Sequence, residues 1–483
     1  MGKPFSRHKT KIVCTIGPAS RKKAVLKGLV QAGMNVARLN FSHGSLEQHA
    51  RDIETIRRVS RELDMTVAVL GDLPGPKIRV GTLKGGSSTL HRGDKTVLTT
   101  RQVEGTSGII PVQFPDLVRS VEKGDRIFLN DGFIELKVLE KNREDIVCRV
   151  VIGGDLLSNK GMNLPDAQLT MSAATDKDLR FIAFGIEQGI DMFGLSFVGG
   201  PDDIARVREF ARAKGHEVFV VAKMERREAV KNSGEIIRAA DAVMVARGDL
   251  GVEIPIEEVP LVQKQLILQA NLAAKPVITA TQMLESMTGN TRPTRAEATD
   301  VANAIFDGTD AVMLSEETAI GKYPLKACRM LARIATAAEA GRSRVVSGTI
   351  VSETIKRTID RSGMSIKEAL SLNVIRSIVS LGIRCVAVPS RSGLTARLIS
   401  RLKGDAWVVA LCIDDSVLRT LGLSSGVHPV LRGGLSSDED IIAYLRGNGF
   451  VGENDAFIMV RREVYPHLGV QNTMKIVARD TAR

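Results

Sequence analysis

The feature that most constrains this chain is a repeated pair: a short run of apolar, mostly β-branched residues, then an amphipathic helical stretch. Eight such runs occur: KIVCTIG (11–17), MNVARLNFS (34–42), TVAVLGD (66–72), DMFGLSFV (191–198), EVFVVAKME (217–225), DAVMVARGD (241–249), KPVITATQ (275–282) and DAVMLSEE (310–317). They are rich in Val, Ile and Ala and scarcely alternate, as expected of parallel strands buried on both faces. Helical periodicity lies between them, as in EQHARDIETIRRVSREL (47–63) and PDDIARVREFARAK (201–214). Eight strand–helix pairs predict an α/β fold built on a closed (β/α)8 TIM barrel rather than an open doubly wound sheet.

Polar residues fall at one end of these runs. Arg38, Asn40, Ser42, Asp72, Lys223, Glu225, Asp249 and Thr281 all sit at C-terminal strand ends. Solvent exposure explains one or two polar strand ends, but not a bias to one rim. Barrel active sites are assembled at that rim from several strands.

One connection is too long for a helix. Residues 78–168 lack long helical periodicity and carry short strand-like runs (KTVLTT, RIFLN, FIELKVLE, DIVCRVVI) with RGD, KGD and NDG turns. This predicts a small β-barrel inserted on the active-site face, where it acts as a lid. After about residue 344 a linker, GRSRVVSGTI, leads to IRCVAVPS, AWVVALCI, HPVLRG and DAFIMVRR alternating with helical stretches. The expected division is barrel 1–77 and 169–344, lid 78–168, and a C-terminal α/β domain over 345–483.

Composition narrows the function classes. The formal charge of +12 fits a polyanion partner, steering of small phosphorylated substrates, or merely a basic surface. Nucleic acid is the weakest of these, with one Trp, few aromatics and no recognisable nucleic-acid-binding signature. No apolar run approaches membrane-spanning length, and the basic N-terminus leads straight into a strand pattern, unlike a secretory signal. Cys14, Cys148, Cys328, Cys385 and Cys412 are scattered without metal spacing and read as reduced core residues of a cytoplasmic protein.

Three stretches carry chemistry. In GDLPGPKIRVG (71–81), Asp72 ends a buried strand and faces Lys77 and Arg79 across a stiff turn. Lys77 there binds substrate, pairs with Asp72, or replaces something else. KMER (223–226) puts Lys223 and Glu225 on one strand face. They form either a plain ion pair or a Mg2+ ligand beside an ammonium that meets charge on a phosphoryl or enolate oxygen. VARGDLGVEIP (245–255) brings Gly248, Asp249 and Gly251 to the next strand end, where the glycines make a turn or admit an anion to backbone N–H groups. Asp249 beside Glu225 favours a metal shared with substrate phosphate. Thr281 in ATQMLESM (280–287) is structural or part of the same site.

RLNFSHG, GDLPGPKIR, LLSNKGMNLP, KMER, VMVARGDLGVEIP, ITATQMLESM, RPTRAEATDVANAI and AVMLSEETAIGKYP together resemble, in order and spacing, the motif series of the pyruvate kinase family, over nearly the whole chain. The resemblance implies phosphoryl transfer from phosphoenolpyruvate to ADP, giving pyruvate and ATP, the last step of glycolysis. It implies Mg2+ (or Mn2+) on Glu225 and Asp249, and Lys223 stabilising the phosphoryl group and enolate in transit. Thr281 belongs to the group that, with ordered water, protonates the enolate carbon. Backbone N–H groups of Gly248 and Asp249 receive the substrate carboxylate. Arg38 and Arg79 match phosphate-facing arginines, Lys160 a nucleotide-phosphate lysine, and Asn40 and His43 lie where the family meets nucleotide and monovalent cation. Loose phosphoryl transfer of this kind needs positioning and electrostatics more than covalent chemistry.

The chain departs from the family's better-known pattern at one place. The usual cation ligands, Asn40, Ser42, Asp72 and the carbonyl at Leu73, are kept, but the nearby Glu is Lys77. An ammonium adds positive charge covalently where a carboxylate favours added K+. Leu73 with Lys77 resembles the potassium-independent members, so K+ is not expected to be required. The last domain resembles the family's regulatory domain. Its PSRSGLTA loop (Ser390, Arg391, Ser392, Gly393, Thr395) either seats an effector phosphate or caps a helix. A homotetramer is implied by resemblance alone.

Two rivals remain in view. A Mg2+-dependent lyase or aldolase acting on pyruvate or phosphoenolpyruvate needs the same carboxylate pair, but not the lid, Lys160 or the last domain. A basic binding protein that has lost catalysis would normally have lost one of Lys223, Glu225, Asp249 or Thr281, and all four are present.

Overall fold

A computed structural model describes residues 5–167, 172–341, 352–353, 365–432, 437–465, 467 and 469–478. The eight runs form a closed parallel barrel, each strand beside its sequence neighbours. The strands are β1 Lys11–Thr15, β2 Met34–Asn40, β3 Ala68–Asp72, β4 Met192–Leu195, β5 Phe219–Met224, β6 Ala242–Ala246, β7 Val277–Ala280 and β8 Ala311–Leu314. Pairing of Lys11 with Ala311 and Cys14 with Leu314 closes the ring. Around it lie helices α1 Lys23–Ala32, α2 Leu46–Leu63, α3 Asp176–Glu187, α4 Pro201–Ala213, α5 Ser233–Ala239, α6 Val259–Leu272, α7 Arg295–Phe306 and α8 Pro324–Gly341.

The absence of alternation in the strands has its reason here. Val13, Leu70, Val221, Met244 and Ile278 fill the barrel interior, while Ile12, Val69, Ala222, Val245 and Val277 pack outward against the helices. Both faces are dry, so both must be apolar. The five cysteines are buried and free, as expected of core residues.

Each strand is shorter than its apolar run. Arg38, Asn40, Asp72 and Lys223 of the polar rim are still paired in their strands, whereas Glu225, Asp249 and Thr281 lie just beyond regular pairing. Asp249 lies not on a strand but in the short helix Arg247–Glu253, and Glu316 likewise opens the turn Glu316–Ala319. The rim is thus part strand end and part tight departure from the strand.

The insertion has its own core, from Ile78 through Leu98, Ile127 and Leu136 to Leu164. Its hydrogen bonding gives a six-stranded sheet and a separate two-stranded pair, Ser87–Leu90 with Gly154–Leu157. The expected small barrel is therefore two sheets wrapped about one core rather than a cylinder of continuous pairing. Chain entry and exit run side by side: Val80 N–H bonds Lys160 O at 3.0 Å and Met162 N–H bonds Ile78 O at 2.9 Å.

The C-terminal domain is a five-stranded sheet of β9 Cys385–Ser390, β10 Trp407–Cys412, β11 Val427–Leu431, β12 Phe457–Tyr465 and β13 Gly469–Val477, in the order β11-β10-β9-β12-β13. Only β13 is antiparallel. The sheet is flanked by α9 Ile366–Leu381, α10 Leu394–Ser400, α11 Asp415–Leu421 and α12 Asp438–Gly447. It docks on the N-terminal end of the barrel, through Lys403 to Asp310 (2.7 Å) and Arg419 to Asp191 (3.3 Å). Lid and C-terminal domain therefore occupy opposite ends. The expected boundaries at 168/169 and 344/345, and most of the linker, lie outside the described residues.

Candidate active site

Four charged side chains meet at the C-terminal rim. Arg38, at the end of β2, gives its Nε hydrogen to Asp72 Oδ2 at 2.6 Å and an Nη1 hydrogen to Thr15 Oγ1 at 2.8 Å. Lys223 of β5 sets its ammonium 3.2 Å from Asp72 Oδ1, 2.8 Å from Glu225 Oε1 and 2.6 Å from Ser196 Oγ. Asp72 and Glu225 are almost wholly buried, so these ions need one another. Burial pushes the Asp72 carboxyl up, but Lys223 and Arg38 outweigh it and hold it below the usual range. Burial opposes the charge on Lys223, yet Asp72 and Glu225 raise its pKa above that of an ordinary lysine. Glu225 stands above the usual range, because burial, helped by the charge of Asp249, exceeds the pull of Lys223.

The next strand ends complete the rim. The Gly248 N–H bonds Thr281 Oγ1 at 2.8 Å, and that hydroxyl donates in turn to Ala280 O at 2.6 Å. Thr281 and Gln282 adopt left-handed φ values of 66° and 54°, costly for a β-branched residue, on the order of 1–2 kcal/mol. Arg247 holds that turn. It donates to Thr281 O at 2.7 Å and Ala280 O at 3.3 Å, and its Nη1 is anchored on Asp300 Oδ1 at 2.7 Å. Phe197, after β4, is another left-handed residue (φ 57°), and its N–H bonds Glu225 Oε2 at 2.7 Å.

At the lid hinge, the Lys77 ammonium is 3.8 Å from Asp249 Oδ1 and 4.0 Å from Asp131 Oδ1, on a lid turn. Arg79 donates to Asn159 O at 2.9 Å and bridges to Gly161, next to Lys160. Gly161 lies against the Lys77 side chain: a Cβ there would stand 2.8 Å from Lys77 Cε, so the lysine would have to shift.

An ammonium between two buried carboxylates, a further carboxylate on the next strand end and a lid hinged above them suit the handling of phosphorylated anions. Comparison with known proteins agrees. Family profiles described as "Pyruvate kinase, barrel domain" and "Pyruvate kinase, alpha/beta domain" match residues 7–328 and 368–477. The chain belongs to the pyruvate kinase family. It is 50% identical over 473 residues to a pyruvate kinase of Thermococcus litoralis, covering 97% of this chain and 98% of that one. It is 41% identical over 477 residues to a pyruvate kinase of Staphylococcus aureus, covering 97% of this chain and 80% of that one. A crystal structure of a pyruvate kinase from Cryptosporidium parvum superposes with a TM-score of 0.91 at 34% identity, covering 98% of this chain and 96% of that one. The chain is thus a phosphotransferase that moves a phosphoryl group from phosphoenolpyruvate to ADP. Among the described residues no helix is long and apolar enough to cross a membrane.

Against the family motif, the fold links Arg38, Asp72, Lys223 and Glu225 in one cluster and pairs Gly248 with Thr281 beside it, with Asp249 close enough for its charge to act on Lys223 and Glu225. Lys77 stands at the lid hinge, beside Asp249 and Asp131. Among the described residues it makes no ion pair with Asp72, whose oxygens face Arg38 and Lys223; the stiff turn carries it to Asp249 and Asp131. Of the cation-site oxygens, those of Asn40, Asp72 and Leu73 are already engaged. Asn40 Oδ1 accepts from Ser42 N at 3.0 Å, and Leu73 O accepts from Ser196 Oγ at 2.7 Å. His43 lies on the turn after β2, its carbonyl bonded by His49 Nε2 at 2.8 Å. In the C-terminal loop Ser390 Oγ accepts from Gly393 N at 3.0 Å, and Arg391 and Ser392 are exposed.

Sequence reasoning missed Ser196, Thr15, Phe197, Arg247 and Asp300. Arg247 and Asp300 stood inside quoted motifs, but their partnership joins residues 53 apart in sequence. Ser196 carried no signal beyond following a strand.

Proposed function

We propose that this chain carries out the family reaction with Lys223, Arg38 and Thr281 as its working side chains, and with Mg2+ (or Mn2+) held by Glu225 and Asp249. The observation that carries the reading is the Lys223 ammonium fixed between Asp72 and Glu225 at 3.2 and 2.8 Å. The donor set fits a hard divalent cation. Asp249 and Glu225 are close enough for the charge of one to raise the pKa of the other. Among the described residues no third His, Cys, Asp or Glu joins them, which leaves ligand positions for substrate oxygens and water. When bound, such an ion neutralises phosphoryl and carboxylate oxygens.

The protein's own groups do the rest. Arg38 and Lys223 face the phosphoryl group as it leaves the enol oxygen of phosphoenolpyruvate for the terminal phosphate of ADP, and Lys223 meets the charge left on the enolate. Gly248 N–H leaves Thr281 Oγ1 to join Asp249 N–H on the substrate carboxylate. The freed Thr281 hydroxyl, through water, supplies the proton to the enolate carbon. Arg79 and Lys160, with Asn40 and His43, take the nucleotide as the lid closes.

Further parts of the reading are independent of one another. K+ is not required: fixed cations already occupy Asp72, and Lys77 adds another charge beside Asp249. The division into barrel (1–77, 169–344), lid (78–168) and regulatory domain (345–483) is proposed, as are a phosphorylated effector at Ser390–Thr395, a homotetramer and a cytoplasmic site of action. The test is pyruvate formation from phosphoenolpyruvate and ADP with Mg2+ in buffer free of potassium and sodium, repeated with K+. Full activity without K+ supports the site assignment and the independence from K+. Activity only with K+ discards the role of Lys77, and no activity in either overturns the assignment of the site.

A further inference from the structure

We propose that Ser196 is a positioning residue for the phosphoryl transfer: its hydroxyl aims the Lys223 ammonium and ties it to the Leu73 carbonyl. The inference rests on the role given to Lys223 above.

An ammonium has three hydrogens to place. One is donated to Ser196 Oγ at 2.6 Å. Glu225 Oε1 and Asp72 Oδ1 lie 2.8 and 3.2 Å from the ammonium as ion pairs. The two carboxylates therefore supply charge from two sides, and the hydrogen bond to Ser196 supplies direction.

The serine hydroxyl is itself oriented. It donates to Leu73 O at 2.7 Å, so its lone pairs are left to face Lys223. Ser196 is 2% exposed and Lys223 9%, which leaves little room for water to replace either bond. The backbone holds the hydroxyl from behind. Phe197 is left-handed (φ 57°) and its N–H grips Glu225 Oε2 at 2.7 Å. Gly75, also left-handed, packs so close that a Cβ there would stand 2.9 Å from Ser196 Cβ. One two-residue turn after β4 thus fixes both members of the Lys223–Glu225 pair, the ammonium by a hydroxyl and the carboxylate by an amide. Strained backbone at such a place is a mark of a functional constraint.

A reacting group displaced by about 1 Å costs on the order of 100-fold in rate. In Ser196→Ala the ammonium loses its side-chain hydrogen bond while its charge balance with Asp72 and Glu225 is untouched. The expected result is a kcat about 10- to 100-fold lower, with the KM for phosphoenolpyruvate and the thermal midpoint close to those of the parent, and recovery of most of the kcat in Ser196→Thr. A crystal structure of Ser196→Ala is expected to show Lys223 Nζ moved toward Asp72. A kcat for Ser196→Ala within about twofold of the parent, or Nζ unmoved in that structure, overturns the proposal. So does an equal loss in Ser196→Thr when both variants melt like the parent. If the added methyl crowds Gly75 and lowers the midpoint of Ser196→Thr, the kcat and structure of Ser196→Ala decide alone. Lys223→Met measured in parallel separates the two readings, because a variant that keeps its kcat refutes the role of Lys223 and not merely that of Ser196.

Discussion

Lys223→Met removes the ammonium while keeping much of the side-chain length in a site that is only 9% exposed. Arg38 and Lys223 balance Asp72 and Glu225, so the variant leaves one net negative charge in a buried cluster. At an effective dielectric of about 20, each Lys223–carboxylate contact near 3 Å is worth on the order of 5 kcal/mol before relaxation. The catalytic share is smaller. Loss of one preorganised charge at the transferring group is expected to cost about 100- to 1,000-fold in kcat, roughly 3–4 kcal/mol of barrier. A second effect has a definite sign. Burial raises the pKa of Glu225 and Lys223 is the main group pulling it back, so without Lys223 it rises further. A protonated Glu225 must lose its proton to bind a metal, so the metal affinity of the variant falls more steeply on acidification than that of the parent. Steady-state pyruvate formation at saturating Mg2+ tests the first effect. Mn2+ binding followed by electron paramagnetic resonance across the neutral pH range tests the second. A variant within about tenfold of the parent kcat, or one whose Mn2+ affinity has the parent's pH slope, would refute the reasoning.

Arg247→Met releases the carbonyls of Ala280 and Thr281 and lets the strained turn relax; kcat is expected to fall about 10- to 100-fold, and an unchanged kcat sinks the link between the arginine and Thr281. Lys77→Glu sets a third carboxylate beside Asp131 and Asp249. Activity without added monovalent cation is expected to drop about tenfold, with K+ restoring it, and indifference to K+ in the variant contradicts this. His428, packed against Phe5 and Phe450, is pushed down to about 4 by burial and then by Lys11. Between that value and the usual 6.5 the unfolded chain binds more protons than the folded one, so stability falls as pH drops through this window. His428→Gln is expected to flatten thermal midpoint against pH there, and an equally steep profile rules the histidine out.

The sequence by itself determined the barrel, the site of the insertion and the identities at the rim. Strands such as AVMVA and VITA must be apolar on both faces when a closed ring separates an inner core from an outer helix layer, so their pattern is written locally. Their polar ends are local too, and so are the motifs that carry the family. What the tertiary structure decided is direction and distance. Asp249 enters a short helix instead of extending β6, because the chain must turn sharply over the rim. Lys77 reads as a neighbour of Asp72 five residues away, yet the Pro-Gly-Pro turn carries it across the hinge to Asp131 and Asp249. Ser196 meets Lys223 and Leu73 across 27 and 123 residues of chain. Such meetings depend on how eight strands close and on backbone held at positive φ, as at Phe197 and Thr281. Local propensity disfavours those conformations, so only the assembled barrel can impose them.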